Sequence, residues 1–244
     1  VSSLSFTNDG QTISLISPEN NIIHSVTFSI TWYQNNLKKD GGWSLEMIDP
    51  NNPCAEESNW KASINVSGGT PGAQNSIFAP NPDLINPTVI NAVALDLKNV
   101  RVFFSESIDN ASVNNLSNFT VNNGIGNPVS IVSDDPNMKF VTITFTQDLQ
   151  QNTIYNLTIT DTITDCVGNY IELQSSVAFA VPMAAQTGDV VINEILSNPS
   201  DNGVDYVELY NKSNKFIDLS KLKLGSITSS STQLYTIAPN GYVM

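Results

Sequence analysis

The sequence has a single histidine, His24, and a single arginine, Arg101, among its 244 residues. With one histidine, a Ser–His–Asp arrangement has only one place to rest, and nothing near His24 supports it. Ten basic residues face 23 acidic ones, for a net charge of −13. That field repels phosphate backbones and anionic bilayers, which argues against nucleic acid as a partner and favours cations, calcium among them. No apolar run reaches the roughly 18 residues of a membrane span, and the opening VSSLSFTNDG lacks the basic n-region of a signal peptide. Two cysteines, Cys54 and Cys166, are too few for a disulfide framework; they form either one bridge between modules or two buried thiols. No C-x-x-C, H-E-x-x-H, G-x-G-x-x-G or P-loop pattern occurs, which weighs against the commonest metal, redox and nucleotide chemistries.

What the sequence does contain is alternation. Hydrophobic residues make up 40% of the chain, enough for packed cores, and asparagine, about one residue in eight, marks many turns. In NIIHSVTFSITWY, Ile22, Val26, Phe28, Ile30 and Trp32 share one parity, and Ser25, Thr27, Ser29 and Thr31 share the other. This is the pattern of a half-buried strand. His24 falls on the apolar parity, as a packed or edge residue. Trp43 and Trp60 are read as core anchors, with ligand stacking as the alternative. Pro71 and Gly72 suit a type II turn, with Gly72 at φ > 0. The proline- and asparagine-rich FAPNPDLINPT (78–88) reads as a linker. After it come seven short runs at regular spacing: TVINAVAL, NVRVFFS, NFTVNN, PVSIVS, FVTITFT, IYNLTIT and SVAFAV. Seven such runs over about a hundred residues describe a β-sandwich, with one helical turn around Ser112 to Leu116. A second boundary falls at VPMAAQTGD (181–189). The fold class is therefore all-β.

Acidic residues concentrate in INEILSNPSDNGVDYVELYNKS (192–213). Strict alternation in VVINEILS places Glu194 among Val190, Ile192 and Leu196, and Asn193 among Val191 and Ile195. A buried Glu194 would have to be hydrogen-bonded or paired, because an isolated buried charge is costly. Three readings follow: structural pairing, a calcium site using Asp201 and Asp205 with Glu194 or Glu208, and a catalytic carboxylate pair. In DTITDCVGN (161–169), a tight turn with Gly168 at φ > 0 stands beside a cation site on Asp161, Asp165 and Asn169. Cys166 has no adjacent base to activate it.

Two family resemblances organise these observations. Residues 189–224 resemble the opening half of a lamin-tail domain through Ile192, Asn193, Glu194, Ile195, Asp205, Val207, Glu208, Leu209, Asn211, Asp218 and Leu219. Residues 1–80 resemble its closing half through Trp43, Ser44, Leu45, Glu46, Asn59, Trp60, Gly69, Thr70, Pro71, Gly72 and Asn75. Between them, residues 86–182 resemble a bacterial Ig-like domain through Phe104, Ser105, Glu106, Phe119, Asp165, Gly168 and Asn169.

The resemblances imply an Ig-like β-sandwich flanked by lamin-tail-type material, residues 1–80 and 189–244 being two halves that pair in cis, by dimerisation, or not at all. They imply a non-catalytic structural, adhesion or docking module of a larger secreted or cell-surface bacterial protein, on the extracellular, periplasmic or outer-membrane side. The partners expected are other modules of the same parent, with protein or glycan ligands, and no nucleic acid or membrane insertion. The alternatives are a carbohydrate- or calcium-dependent binding module and an accessory fragment of an extracellular hydrolase.

Overall fold

A computed structural model describes residues 5–160, 162–172, 175–200, 203–225, 227–228 and 236–244. The N-terminal unit contains strands β1 (Gly10–Ile16), β2 (Ile22–Ser29), β3 (Leu45–Met47) and β4 (Trp60–Ala62). The central domain contains β5 (Val89–Ala94), β6 (Asn99–Phe104), β7 (Phe119–Val121), β8 (Ser130–Val132), β9 (Phe140–Thr144), β10 (Tyr155–Ile159) and β11 (Ser176–Phe179). The C-terminal unit contains β12 (Val190–Leu196), β13 (Tyr206–Asn211), β14 (Ile217–Asp218), β15 (Lys223–Leu224), β16 (Ile227–Thr228), β17 (Thr236–Ile237) and β18 (Tyr242–Val243).

In the central domain all seven expected runs are strands. They form a four-stranded sheet, β5-β6-β9-β8, and a three-stranded sheet, β11-β10-β7. Alternation puts Val100, Val102 and Phe104, then Val141 and Ile143, on the inner face of one sheet. Phe119, Val121, Tyr155, Leu157, Ile159 and Phe179 come from the other. Loop residues Ile108, Val113, Leu149, Ile163 and Ile171 close the ends of this core. Each such side chain contributes about 1.5–3 kcal/mol when fully buried, so this sandwich is the thermodynamic centre of the chain. The helical turn expected around Ser112 to Leu116 begins earlier, as one turn of α-helix, α1 (Asn110–Val113). It is capped by the Asp109 carboxylate, which accepts from the Ser112 N–H, and a separate 3-10 turn follows at Leu116–Asn118.

The N-terminal unit holds together differently. The half-buried strand ends at Ser29, earlier than alternation implied. The Ser29 hydroxyl caps a 3-10 turn over Ile30–Tyr33, which turns Trp32 into the unit's core at 5% exposure. Trp60 is half-buried and packs on Trp32 at 6.3 Å, while Trp43 lies half-buried under the Lys38 ammonium. The main apolar anchor is therefore Trp32, with Trp43 and Trp60 secondary. Polar groups supply much of the rest. Buried Glu46 accepts from the Thr70 hydroxyl and from the Ser76 N–H and hydroxyl, each at 2.7 Å. Burial alone would raise its pKa, but these bonds and one from Ser63 hold it below the ordinary carboxylate value. Asn59, fully buried, donates to the carbonyls of Asp49 and Asn52. The residues that carried the family pattern here are thus structural. Gly72 has φ 76°, and the Ala73 N–H donates to the Thr70 carbonyl, as the turn reading required.

The stretch read as a linker, 78–88, is bound along its length. The Asn81 N–H donates to Asp49 and its side chain to Ser58 and Asn59. Asn169 donates to the Asp83 carbonyl, and the Glu172 N–H to that of Pro87. Within the second boundary, 181–189, Met183 bridges to Ile217 of the C-terminal unit.

The C-terminal unit carries a three-stranded sheet, β12-β13-β18, and two small pairs, β14-β17 and β15-β16. Among the described residues, no strand of residues 10–62 pairs with a strand of residues 190–243.

Candidate functional site

The acidic hairpin 192–213 resolves through a bulge. The register pairs Ile192 with Leu209 but Glu194 with Glu208, leaving Asn193 as the extra residue. Parity resets there, so Ile192, Ile195, Val207 and Leu209 share one face, and Glu194, Glu208, Tyr206 and Tyr210 share the other. Strict alternation had forced a polar residue into each face, and the bulge removes the conflict. Glu194 is exposed and accepts from the Tyr206 hydroxyl at 2.6 Å, while Glu208 accepts from the Asn193 amide at 2.6 Å. Its bond to Glu194 pushes the Tyr206 phenol pKa above its ordinary value. Asp205 is exposed just before β13, and Asp201 lies outside the described residues. Glu194, Asp205 and Glu208 do not converge as a calcium set among the described residues. Glu194 and Glu208 are held by neighbouring side chains on an outer face.

Asn211 is the buried polar residue of this unit among those described. Its amide donates to the carbonyls of Lys215, Ile237 and Ala238 at 2.7, 3.0 and 3.0 Å. Its oxygen accepts from the Ser213 N–H and hydroxyl. On the inner face, Val190, Ile192, Val207, Leu209, Leu222 and Val243 border an open apolar cleft of about 670 Å³, and Ile192 and Ile195 are exposed. The β1–β2 hairpin at the other end likewise exposes Leu15, Ile16, Ile22 and Ile23.

Chemistry-bearing side chains converge elsewhere, at the joint between the N-terminal unit and the central domain. Cys54 and Cys166 form a disulfide that links the two. Beside it, Lys139 pairs with Glu56 at 2.6 Å, and the Asn137 amide donates to the Thr27 hydroxyl at 2.6 Å. His24 packs here, its Nε2 lying 3.5 Å from the Pro53 carbonyl oxygen.

At the same joint, one carboxylate oxygen each from Asp83, Glu106 and Asp165 lie within 4.8 Å of one another. Asp83 comes from the bound linker, Glu106 from just after β6, and Asp165 from the turn that carries Cys166. Asp165 is buried. Its Oδ1 accepts from the N–H groups of Val167, Gly168 and Asn169, and its Oδ2 from the Asn169 amide at 2.8 Å. Gly168 takes φ 100°, so the tight-turn reading of DCVGN holds. Asp161 lies outside the described residues. Glu106 accepts no hydrogen bond among the described residues. Burial first, and then repulsion from Asp83 and Asp165, push its pKa up to about 7.

This trio is the only group among the described residues whose oxygens come this close, and reading the sequence missed two of its three members. Asp165 is a candidate from the sequence; Glu106 reaches it through the Ig-like fold, where Ile108 bridges to Asp165, and Asp83 comes from the bound linker. The cysteine pair was the one available signal, since a bridge from Cys54 to Cys166 brings the 50s next to Asp165.

Comparison with known proteins fits this division of the chain. The Bacterial Ig-like domain model matches residues 85–181, and the Lamin Tail Domain model matches residues 183–244. The lamin-tail match thus follows the Ig-like one. No curated protein matches the chain. Among solved structures, the S-layer protein rSbsC(31-844) is similar at 22% identity and TM-score 0.36, covering 45% of this chain and 15% of that one. The N-terminal part of the bacterial S-layer protein SbsC is similar at 21% identity and TM-score 0.36, covering 65% and 42%. The chain thus spans less than half the length of either. Residues 85–181 are a bacterial Ig-like domain and residues 183–244 belong to the lamin tail domain family, so the chain joins two families of Ig-like β-sandwich in series.

Proposed function

We propose that this chain is a non-catalytic structural section of a larger extracellular or cell-surface bacterial protein, holding neighbouring domains at fixed separation for adhesion or docking. The welded joint carries this reading. A disulfide, an ion pair and a bound linker fasten the N-terminal unit to the Ig-like domain, where a flexible tether would have sufficed for a domain that works alone. Disulfides persist in oxidising, exported settings. No described helix is long and apolar enough to cross a membrane. The partners are other modules of the same parent protein, packing on the exposed apolar residues at either end.

Small-angle scattering of the oxidised chain tests the reading. The N-terminal unit and Ig-like domain should fit as one rigid body; a profile that demands a broad ensemble of orientations would refute it. The hydrolase-fragment alternative needed Glu194 and Glu208 in a cleft, and both lie on an outer face. A cation-dependent binding module is the second reading, favoured by the acidic trio at the joint.

A further inference from the structure

We propose that Asp83, Glu106 and Asp165 form a divalent-cation site of the calcium class at the joint, next to a cleft that Asn52 also borders. Calcium takes oxygen ligands at about 2.3–2.6 Å, so oxygens on opposite sides of one ion stand about 5 Å apart. The three carboxylate oxygens, all within 4.8 Å of one another, fit that sphere. The donor set is all oxygen, which suits a hard cation over zinc or copper.

Asn52 supplies the independent observation. It is only 3% exposed, its amide donates to the Asn81 carbonyl, and its Oδ1 is buried with no partner. A buried acceptor without a donor costs about 1–3 kcal/mol. Asn52 borders the same cleft, about 500 Å³, as Asp83 and Glu106. The cleft's one bordering cation, Lys139, is already paired with Glu56. Three carboxylates with no ion pair of their own among the described residues, at a cleft that an orphaned acceptor also borders, call for a bound cation. The ion would tie together a linker, a strand end and the disulfide turn. This site is independent of the spacer reading, which scattering tests with or without metal.

The experiment is calorimetric titration of calcium chloride into the intact, oxidised, chelator-stripped chain, with thermal melts in parallel and magnesium as the comparison ion. One calcium per chain should bind with a dissociation constant on the order of 0.1–1 mM, as for extracellular modules, and raise the melting temperature more than magnesium does. Glu106→Gln should weaken binding at least ~tenfold while the circular dichroism spectrum is retained, because Glu106 is part-exposed and bonds to no described group. Asp83→Asn should do the same, and it decides the matter if Glu106→Gln does not fold. Asp40→Asn, at an exposed acidic residue away from the cleft, should leave binding unchanged. No heat and no thermal shift at about 10 mM calcium would overturn the proposal, as would undiminished binding in both variants.

Discussion

Removing the bridge with Cys54→Ala and Cys166→Ala gives a quantitative test of how the units are joined. The cysteines are 112 residues apart. In the chain-entropy model, cross-linking a loop of that length stabilises the fully folded chain by about 5 kcal/mol. The relevant event is smaller. If the N-terminal unit opens while the Ig-like domain stays folded, the loop runs only from Cys54 to residue 85. A loop of about thirty residues contributes about 4 kcal/mol.

The tryptophans make this readable. Trp32, Trp43 and Trp60 are the only three in the chain, and all lie before the Ig-like domain. Tryptophan emission in a guanidinium titration therefore follows the N-terminal unit alone, while far-UV dichroism weights the larger β-core. The double variant should show an emission midpoint well below that of the oxidised parent, by an amount corresponding to about 3–4 kcal/mol. The dichroism transition of the Ig-like core should move little. An unchanged emission midpoint, or equal displacement of both transitions, would show that the joint does not depend on the bridge.

Asn211→Ala should lower the stability of the lamin-tail unit by about 2–4 kcal/mol, because three carbonyls and two donors lose one buried partner at once; hydrogen exchange at Ile237 and Ala238 reads the loss locally. The Glu106 carboxyl, raised to about 7 in the fold from an ordinary 4.5, is favoured in its protonated form by folding. Its contribution is thus fully present below about pH 4.5 and lost as pH rises through 7. In chelator, the melting temperature should fall from pH 5 toward pH 8, and Glu106→Gln should flatten that fall; a parallel slope in the variant would refute the assignment.

The Ig-like core was legible because most of its strands keep period two: Val100, Val102 and Phe104, or Tyr155, Leu157 and Ile159, announce their inner face directly. The C-terminal hairpin resisted because one inserted residue, Asn193, reverses the parity midway, and alternation has no means of marking an insertion. Ser29 ended a strand that apolar spacing would have continued to Trp32, since a hydroxyl cap outweighed periodicity. At 78–88 asparagine and proline mark irregular backbone, and the Ig-like match begins there at 85. Composition does not show that Asn81, Asp83 and Pro87 are hydrogen-bonded to their surroundings. The acidic trio was hidden for a different reason. Its members are separated by 23 and 59 positions and meet only through the Ig-like fold and the bound linker.

The bridge also alters how the molecule would answer a pull applied on either side of it. Tension entering ahead of Cys54 would cross the sulfur–sulfur bond and leave from Cys166, bypassing β5 to β10. The 112 residues between the cysteines could release roughly 380 Å of contour if drawn straight, and the bridge withholds all of it. Of the Ig-like strands only β11 remains on the route. Stretched while oxidised, the chain is a short, stiff link; reduced, it becomes a long extensible one.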